Sequence, residues 1–170
     1  MLEYDMENLT KQRLSELLNY DANTGIFTRR VALSRSVKVG DVAGYKHPQK
    51  SYISLFVDGK RYKAHRLAWL YVNGVWPNAE IDHINGAPDD NRIQNLRDVS
   101  SRTNMENRIS PDSRNKSGLL GVSWLSKASK WRAQLQVDGK PMYLGLFDDK
   151  DAAHQVYLNA KRAHHGGCTI

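Results

Sequence analysis

The spacing of apolar residues divides the chain into short elements. Leu14, Leu17 and Leu18 mark one side of a helix that Thr10 can cap and that ends near Asn19, before the turn-forming DANTG at Asp21 to Gly25. YISLFV and KRYKAH alternate apolar and polar positions around Asp58-Gly59, a pair suited to the positive φ angles of a tight hairpin. From His65, HRLAWLYV has helical spacing and stops at Gly74, with Pro77 beyond. The segment IDHINGAPDDNRIQNLRDVSSRTNMENR predicts a strand ending at His83, a turn at Asn85-Gly86 and a loop holding Asn91 and Asn95. A short strand near Arg97 to Val99 follows, then a helix for which Thr103 and Glu106 form a capping box that puts Asn104 in its first turn.

SPDSRNKSG, between Ile109 and Leu119, has the composition of a linker. It separates a first domain, residues 1–108 with its motif over 65–108, from a second over 118–170, with the linker at 109–117. The second domain predicts strands around Gly121 to Trp124, Trp131 to Val137 and Met142 to Phe147, then a helix from about Asp149 to His164. In its middle strand Trp131, Ala133, Leu135 and Val137 share one face and Arg132, Gln134 and Gln136 the other. The expected fold class is α+β. VDGK occurs at Val57 and again at Val137 with unrelated flanks, which indicates a shared turn type and not a repeat.

With 170 residues, 40% of them apolar, the chain has the composition of one or two small globular domains. The single Cys168 excludes an internal disulfide framework and a cysteine-rich zinc site. No apolar run reaches membrane-spanning length and MLEYDMENLTKQ lacks a signal-peptide core, so the expected location is cytoplasmic, in a bacterial or phage-infected cell, with no membrane partner.

The net charge of +7 changes the picture because it is clustered: Arg29, Arg30, Arg35, Lys38, Lys46, Lys50, Lys60, Arg61, Lys63 and Arg66 face only Asp41 and Asp58 between Thr28 and Arg66. A solvated face is the plain reading of a charge run. Here the cations alternate with Tyr45, Tyr52, Phe56 and Tyr62 in strand-like sequence, which favours a nucleic-acid backbone as partner.

The Asp82-His83 pair carries the candidate chemistry. An imidazole at a strand end can take a proton from water near neutral pH, and a neighbouring carboxylate can hold a divalent cation against a phosphate. Hard oxygen donors suit Mg²⁺ or Mn²⁺ better than zinc, and such an ion keeps several waters. Asn85, Asn91 and Asn107 read first as turn and cap residues.

DH, followed by NRIQNLR and a terminal Asn, resembles the HNH endonucleases of the His-Me finger (ββα-metal) superfamily, in the phage-type and homing branch. LLNYDANTGIFTRR, VGDVAGY and HRLAWLYVNGVWP extend the resemblance over about Leu9 to Arg108. It implies a ββα-metal core with an N-terminal β-hairpin region and one Mg²⁺ or Mn²⁺ ion per active site. Asp82 and Asn104 would bind the metal, His83 would be the general base, and Asn95 would hold the loop that orients the imidazole. Asn104 stands where the family name has a histidine and matches the branch in which Asn replaces it. His65, opening its helix, either supports the site, meets phosphate or is structural. His47, His154, His164 and His165 read as surface residues. Arg92, Arg97, Arg102 and Arg108 flank the motif and at least some of them should contact phosphates, with Arg92 or Arg97 alternatively paired to Asp89, Asp90 or Asp98.

Residues Gly118 to Gly166 resemble the plant ethylene-response-factor (Apetala-type) DNA-binding domain, a three-stranded antiparallel sheet backed by one helix. That resemblance implies groove-facing Arg132, Gln134, Gln136 and Tyr143. Trp131 reads as core, and Trp124 either stacks on DNA, the favoured reading, or packs. Ser123 and Leu125 stand where the plant domains tend to have arginines. The expected function is metal-dependent hydrolysis of double-stranded DNA, nicking or site-preferring, by a monomer with no protein partner. The alternative is a non-catalytic sequence-specific DNA-binding regulator.

Overall fold

Thr10 opens the first helix as expected, its side chain accepting from the Arg13 amide, and α1 runs over Lys11–Leu17. The computed structural model describes residues 9–46 and 51–169; Lys50 and His47 of the basic segment lie outside them. The fold is α+β, and the chain divides into two compact units, Met1–Val99 and Ser100–Ile170.

In the first unit β1 (Leu18–Asp21), β2 (Ile26–Arg29) and β3 (Val42–Ala43) form one antiparallel sheet, and β4 (Tyr45–Lys46), β5 (Ile53–Val57) and β6 (Lys60–Lys63) form another. Asp58 and Gly59 take φ of 46° and 77°, the tight turn read from the sequence. α2 (Ala64–Asn73) ends at Gly74 in the left-handed conformation. β7 (Glu80–His83) and β8 (Leu96–Val99) pair antiparallel, with a 3₁₀ turn at Ile93–Asn95 between them. Leu14, Leu18, Phe27, Leu55, Leu67 and Leu70 are buried in the shared core. Truncating any of them to Ala would cost about 2–5 kcal/mol.

In the second unit β9 (Val122–Leu125), β10 (Lys130–Val137) and β11 (Lys140–Phe147) form an antiparallel sheet with β10 central, against which α4 (Lys150–His164) packs Ala153 and Tyr157. Gly121 lets the chain lie on that helix, since a Cβ there would sit 1.9 Å from the Tyr157 ring.

One expectation changes. α3 covers Ser101–Glu106, and its cap is Ser100, whose hydroxyl accepts from the Thr103 amide. Thr103 therefore sits inside the helix and Asn104 one position after it, because two consecutive serines offered an equally good cap three residues earlier. The second compact unit takes in Ser100 to Arg108: Glu106 accepts from the Gly167 amide, and the buried Lys161 ammonium donates to the Arg108 carbonyl. Within the linker-like stretch, Asn115 bonds the Leu119 carbonyl and Ser117 the Val122 carbonyl, so polar turn residues there tie down the start of the sheet. Among the described residues no helix is long and apolar enough to cross a membrane.

Candidate active site and nucleic-acid faces

β7 delivers Asp82 and His83, both 5% exposed, at the edge of the first unit's core. Directly paired residues of antiparallel strands share a side, so Asp82 lies with Arg97 and His83 with Leu96. The chain turns immediately after, with Gly86 at φ 68° and its amide bonded to the His83 carbonyl.

His83 is held from several directions. Its Nε2 lies 3.3 Å from Oδ1 of Asn91, which is 1% exposed. A carboxamide oxygen only accepts, so it selects the Nε2–H tautomer and leaves the basic lone pair on Nδ1. The His65 ring meets it edge-on at 5.0 Å, and Tyr52 packs on both rings at 5.1 and 5.9 Å. Burial pushes the His83 imidazole below its ordinary value, while the Asn91 bond and the carboxylates of Asp82, Asp90 and Asp89 pull the other way. His65 is pushed down to about 3 by burial first and then by its neighbours His83, Lys63 and Arg66, and its buried Nδ1 has no hydrogen-bond partner among the described residues. It is therefore a neutral wall of the site.

The loop carrying Asn91 is braced by the N-terminal hairpin. The Tyr20 hydroxyl donates to the Asn91 carbonyl at 2.7 Å, and the Ile93 amide donates to the Ala22 carbonyl at 3.3 Å. Gly25, at φ 74°, lies so close that a Cβ would be 2.5 Å from the Arg92 nitrogen. The LLNYDANTG stretch thus has a local task, positioning the site loop. Asn95 closes that loop from within: its Oδ1 accepts from the Asn85 amide, and its Nδ2 donates to Asn85 Oδ1 at 3.0 Å and to the Asp90 carbonyl at 2.8 Å.

Asp82 Oδ2 accepts from Arg97 Nε at 2.8 Å, with the second Arg97 nitrogen at 2.7 Å. The sequence alternatives for Arg97 did not include this partner, which strand register alone could have supplied. Among the described residues no group of three or more His, Cys, Asp and Glu is gathered for a metal ion. A carboxylate with one carboxamide would fit a hard cation that retains water and takes phosphate oxygen, and would not fit a zinc ion. Asn104 lies half-buried on α3, in the second unit.

The first unit places Lys60, Arg61 and Lys63 on exposed positions of β6, while Arg29 is half-buried on β2. Arg30 is exposed and donates to the Ser15 carbonyl; Arg66 is half-buried near the Trp76 ring and donates to Ala79. Arg92 forms a salt bridge with Asp90, the paired alternative. In the second unit Arg102 bridges Glu106 and Asp138, and Arg108 reaches Asp112. Gln134 pairs across with Tyr143 and Arg132 with Ser123, so these share the side away from the buried Ala133 and Leu135, with Gln136 on the same alternation. Trp124 pairs directly with Trp131 and stacks edge-on against it at 5.0 Å, which puts it on the helix side, apart from that set. His154 and His165 are half-buried and bond the Leu120 and Gln136 carbonyls, unlike the exposed His164; the surface expectation missed these folded-back contacts.

Residues 62–106, the stretch running from β6 through α3, match the family described as HNH endonuclease. The chain is 31% identical over 117 residues to protein 3.8 of Escherichia phage T7, covering 68% of this chain and 93% of that protein. It is 33% identical over 104 residues to DNA endonuclease I-HmuI of Bacillus phage SP01, covering 58% of this chain and 56% of that one. A solved structure titled for DNA binding and cleavage by the HNH homing endonuclease I-HmuI aligns with a TM-score of 0.41 at 24% identity, over 89% of this chain and 88% of that chain. What the chain shares with the HNH endonuclease family is thus its central segment, residues 62–106.

Proposed function

We propose that the protein is a divalent-cation-dependent endonuclease that hydrolyses phosphodiester bonds of double-stranded DNA. The observation that carries this reading is the buried His83, turned by Asn91 into the tautomer with a basic Nδ1 and adjoining Asp82 inside the HNH-matching segment. Nδ1 takes a proton from water as the oxygen attacks phosphorus. The P–O3′ bond breaks, solvent protonates the departing oxygen, and the ends are a 5′-phosphate and a 3′-hydroxyl. By the resemblance Asp82 and Asn104 would hold the ion, and Asn95 keeps the loop between Asn85 and Asp90 closed. A bound Mg²⁺ or Mn²⁺, one per site, would supply stabilisation of the negative charge that grows in the transition state. Neutral His65 and the burial of His83 favour the unprotonated base at neutral pH.

Residues 1–108 carry the chemistry and 118–170 act as an Apetala-type reading domain, with Arg132, Gln134, Gln136 and Tyr143 entering the major groove. A glutamine there can pair bidentately with adenine. The basic side chains Arg29, Arg30, Lys60, Arg61, Lys63, Arg66, Arg92, Arg102 and Arg108 meet phosphates. A monomer has one such site and nicks one strand per binding event. Supercoiled plasmid incubated with the purified protein and Mg²⁺ or Mn²⁺ tests the reading: conversion to open circles supports it, and binding without any cleavage supports the non-catalytic regulator instead.

A further inference from the structure

The outer face of the β4–β6 sheet has a composition that folding alone does not explain. Leu55 and Val57 of β5 point into the core, so Ser54 and Phe56 point away from it. Strand register puts Tyr45 and Lys63 on the two sides of Ser54, and Arg61 directly opposite Phe56, all on this outward side. Phe56 and Tyr45 are 53% and 40% exposed, with near-parallel rings 6.2 Å apart. Tyr52, one residue before β5, is 39% exposed and lies under the Lys63 ammonium at 4.8 Å. Its ring is also 5.9 Å from that of His83, so the face leads to the candidate base within a single unit.

We propose that this face is a stacking platform for an unpaired nucleic-acid strand, and that the preferred substrate is DNA locally opened beside the cut. Solvent-exposed rings left uncovered by the fold gain by burying their surface against a partner. Cations set between the rings select a polyanion over an apolar protein surface. Ring faces are satisfied by base faces, which a closed duplex keeps stacked inside, whereas an unpaired strand offers a base to the rings and phosphates to Arg61 and Lys63 together. The placement beside the cut rests on the nuclease reading; the stacking itself does not.

The full chain in EDTA, with a fluorescein-labelled oligothymidine strand and a hairpin duplex of equal length, separates the two. A Tyr45→Leu/Phe56→Leu protein keeps apolar bulk but loses both rings; it should bind the unpaired strand roughly tenfold more weakly and the duplex almost unchanged. Phe56→Tyr alone should retain wild-type binding, and a 2-aminopurine in the strand should be quenched by the wild type and not by the double variant. Circular dichroism confirms that each variant is folded. Equal losses on strand and duplex, or undiminished binding and quenching in the double variant, would overturn the platform. A wild-type protein that quenches the strand in EDTA but cuts no DNA with Mg²⁺ would retain the platform and sink only the nuclease reading.

Discussion

The two units expose their polar residues in opposite ways. In the first, the groups with chemical potential are buried and held: His83 between Asn91 and His65, Asp82 on Arg97, Asn95 across its loop. In the second, Gln136 and Tyr143 stand exposed beside half-buried Arg132 and Gln134 on a sheet face whose far side is the core. A proton-transfer group must be fixed in tautomer and kept from competing water, which burial supplies at a cost in desolvation. A groove-reading group must remain available to a partner, so its own fold leaves it uncovered. The contrast is what the proposed roles require, with His83 setting the rate and the Gln134 face setting site choice.

The largest effect short of removing the base itself should come from Asn91→Leu, which preserves approximate volume and removes the acceptor that fixes the His83 tautomer. The rate at saturating DNA should fall roughly a hundredfold with affinity little changed; a fall confined to affinity would move Asn91 out of the site. A smaller effect separates the units by pH. His65 is neutral in the fold at about 3 against an ordinary imidazole value of 6.5, so between those limits the unfolded chain binds the extra proton. Stability from this group is complete above pH 6.5 and is lost as pH falls toward 3, about 2 kcal/mol by pH 5. Hydrogen exchange should show amides of α2 opening first on acidification while those of α4 stay protected, and His65→Phe should flatten the dependence. Equal loss in both units would remove His65 as its source. The smallest effect is expected of Gln134→Ala, which should lower discrimination between preferred and random sites by roughly tenfold and leave the rate at saturation unchanged.

Much of this was legible in the chain because local rules and tertiary packing agree. Asp-Gly at Asp58 and Asp138, Gly74 after α2 and the alternation of β10 all predicted what the structure contains. α3 was misplaced by three residues because Ser100 and Thr103 are equivalent caps to a local reading, and only tertiary contacts choose between them. Asn91 has the local signature of a turn residue, because its contact with His83 follows from loop closure, which Tyr20 and Gly25 enforce from about 70 residues away in sequence. Trp124 leaves DNA contact and packing both open to a local reading, and its pairing with Trp131 puts it on the helix side. The partnership of Asp82 with Arg97 needed the register of β7 on β8, which no spacing within one strand encodes.

Single-turnover cleavage of a labelled duplex at saturating protein and Mg²⁺, run for wild type and His83→Ala with binding measured in parallel, addresses the assignment of the base most directly. The account predicts a loss of roughly a hundredfold to ten-thousandfold in rate with affinity almost unchanged. Undiminished cutting by the variant, or a parallel collapse of binding and rate, would contradict it.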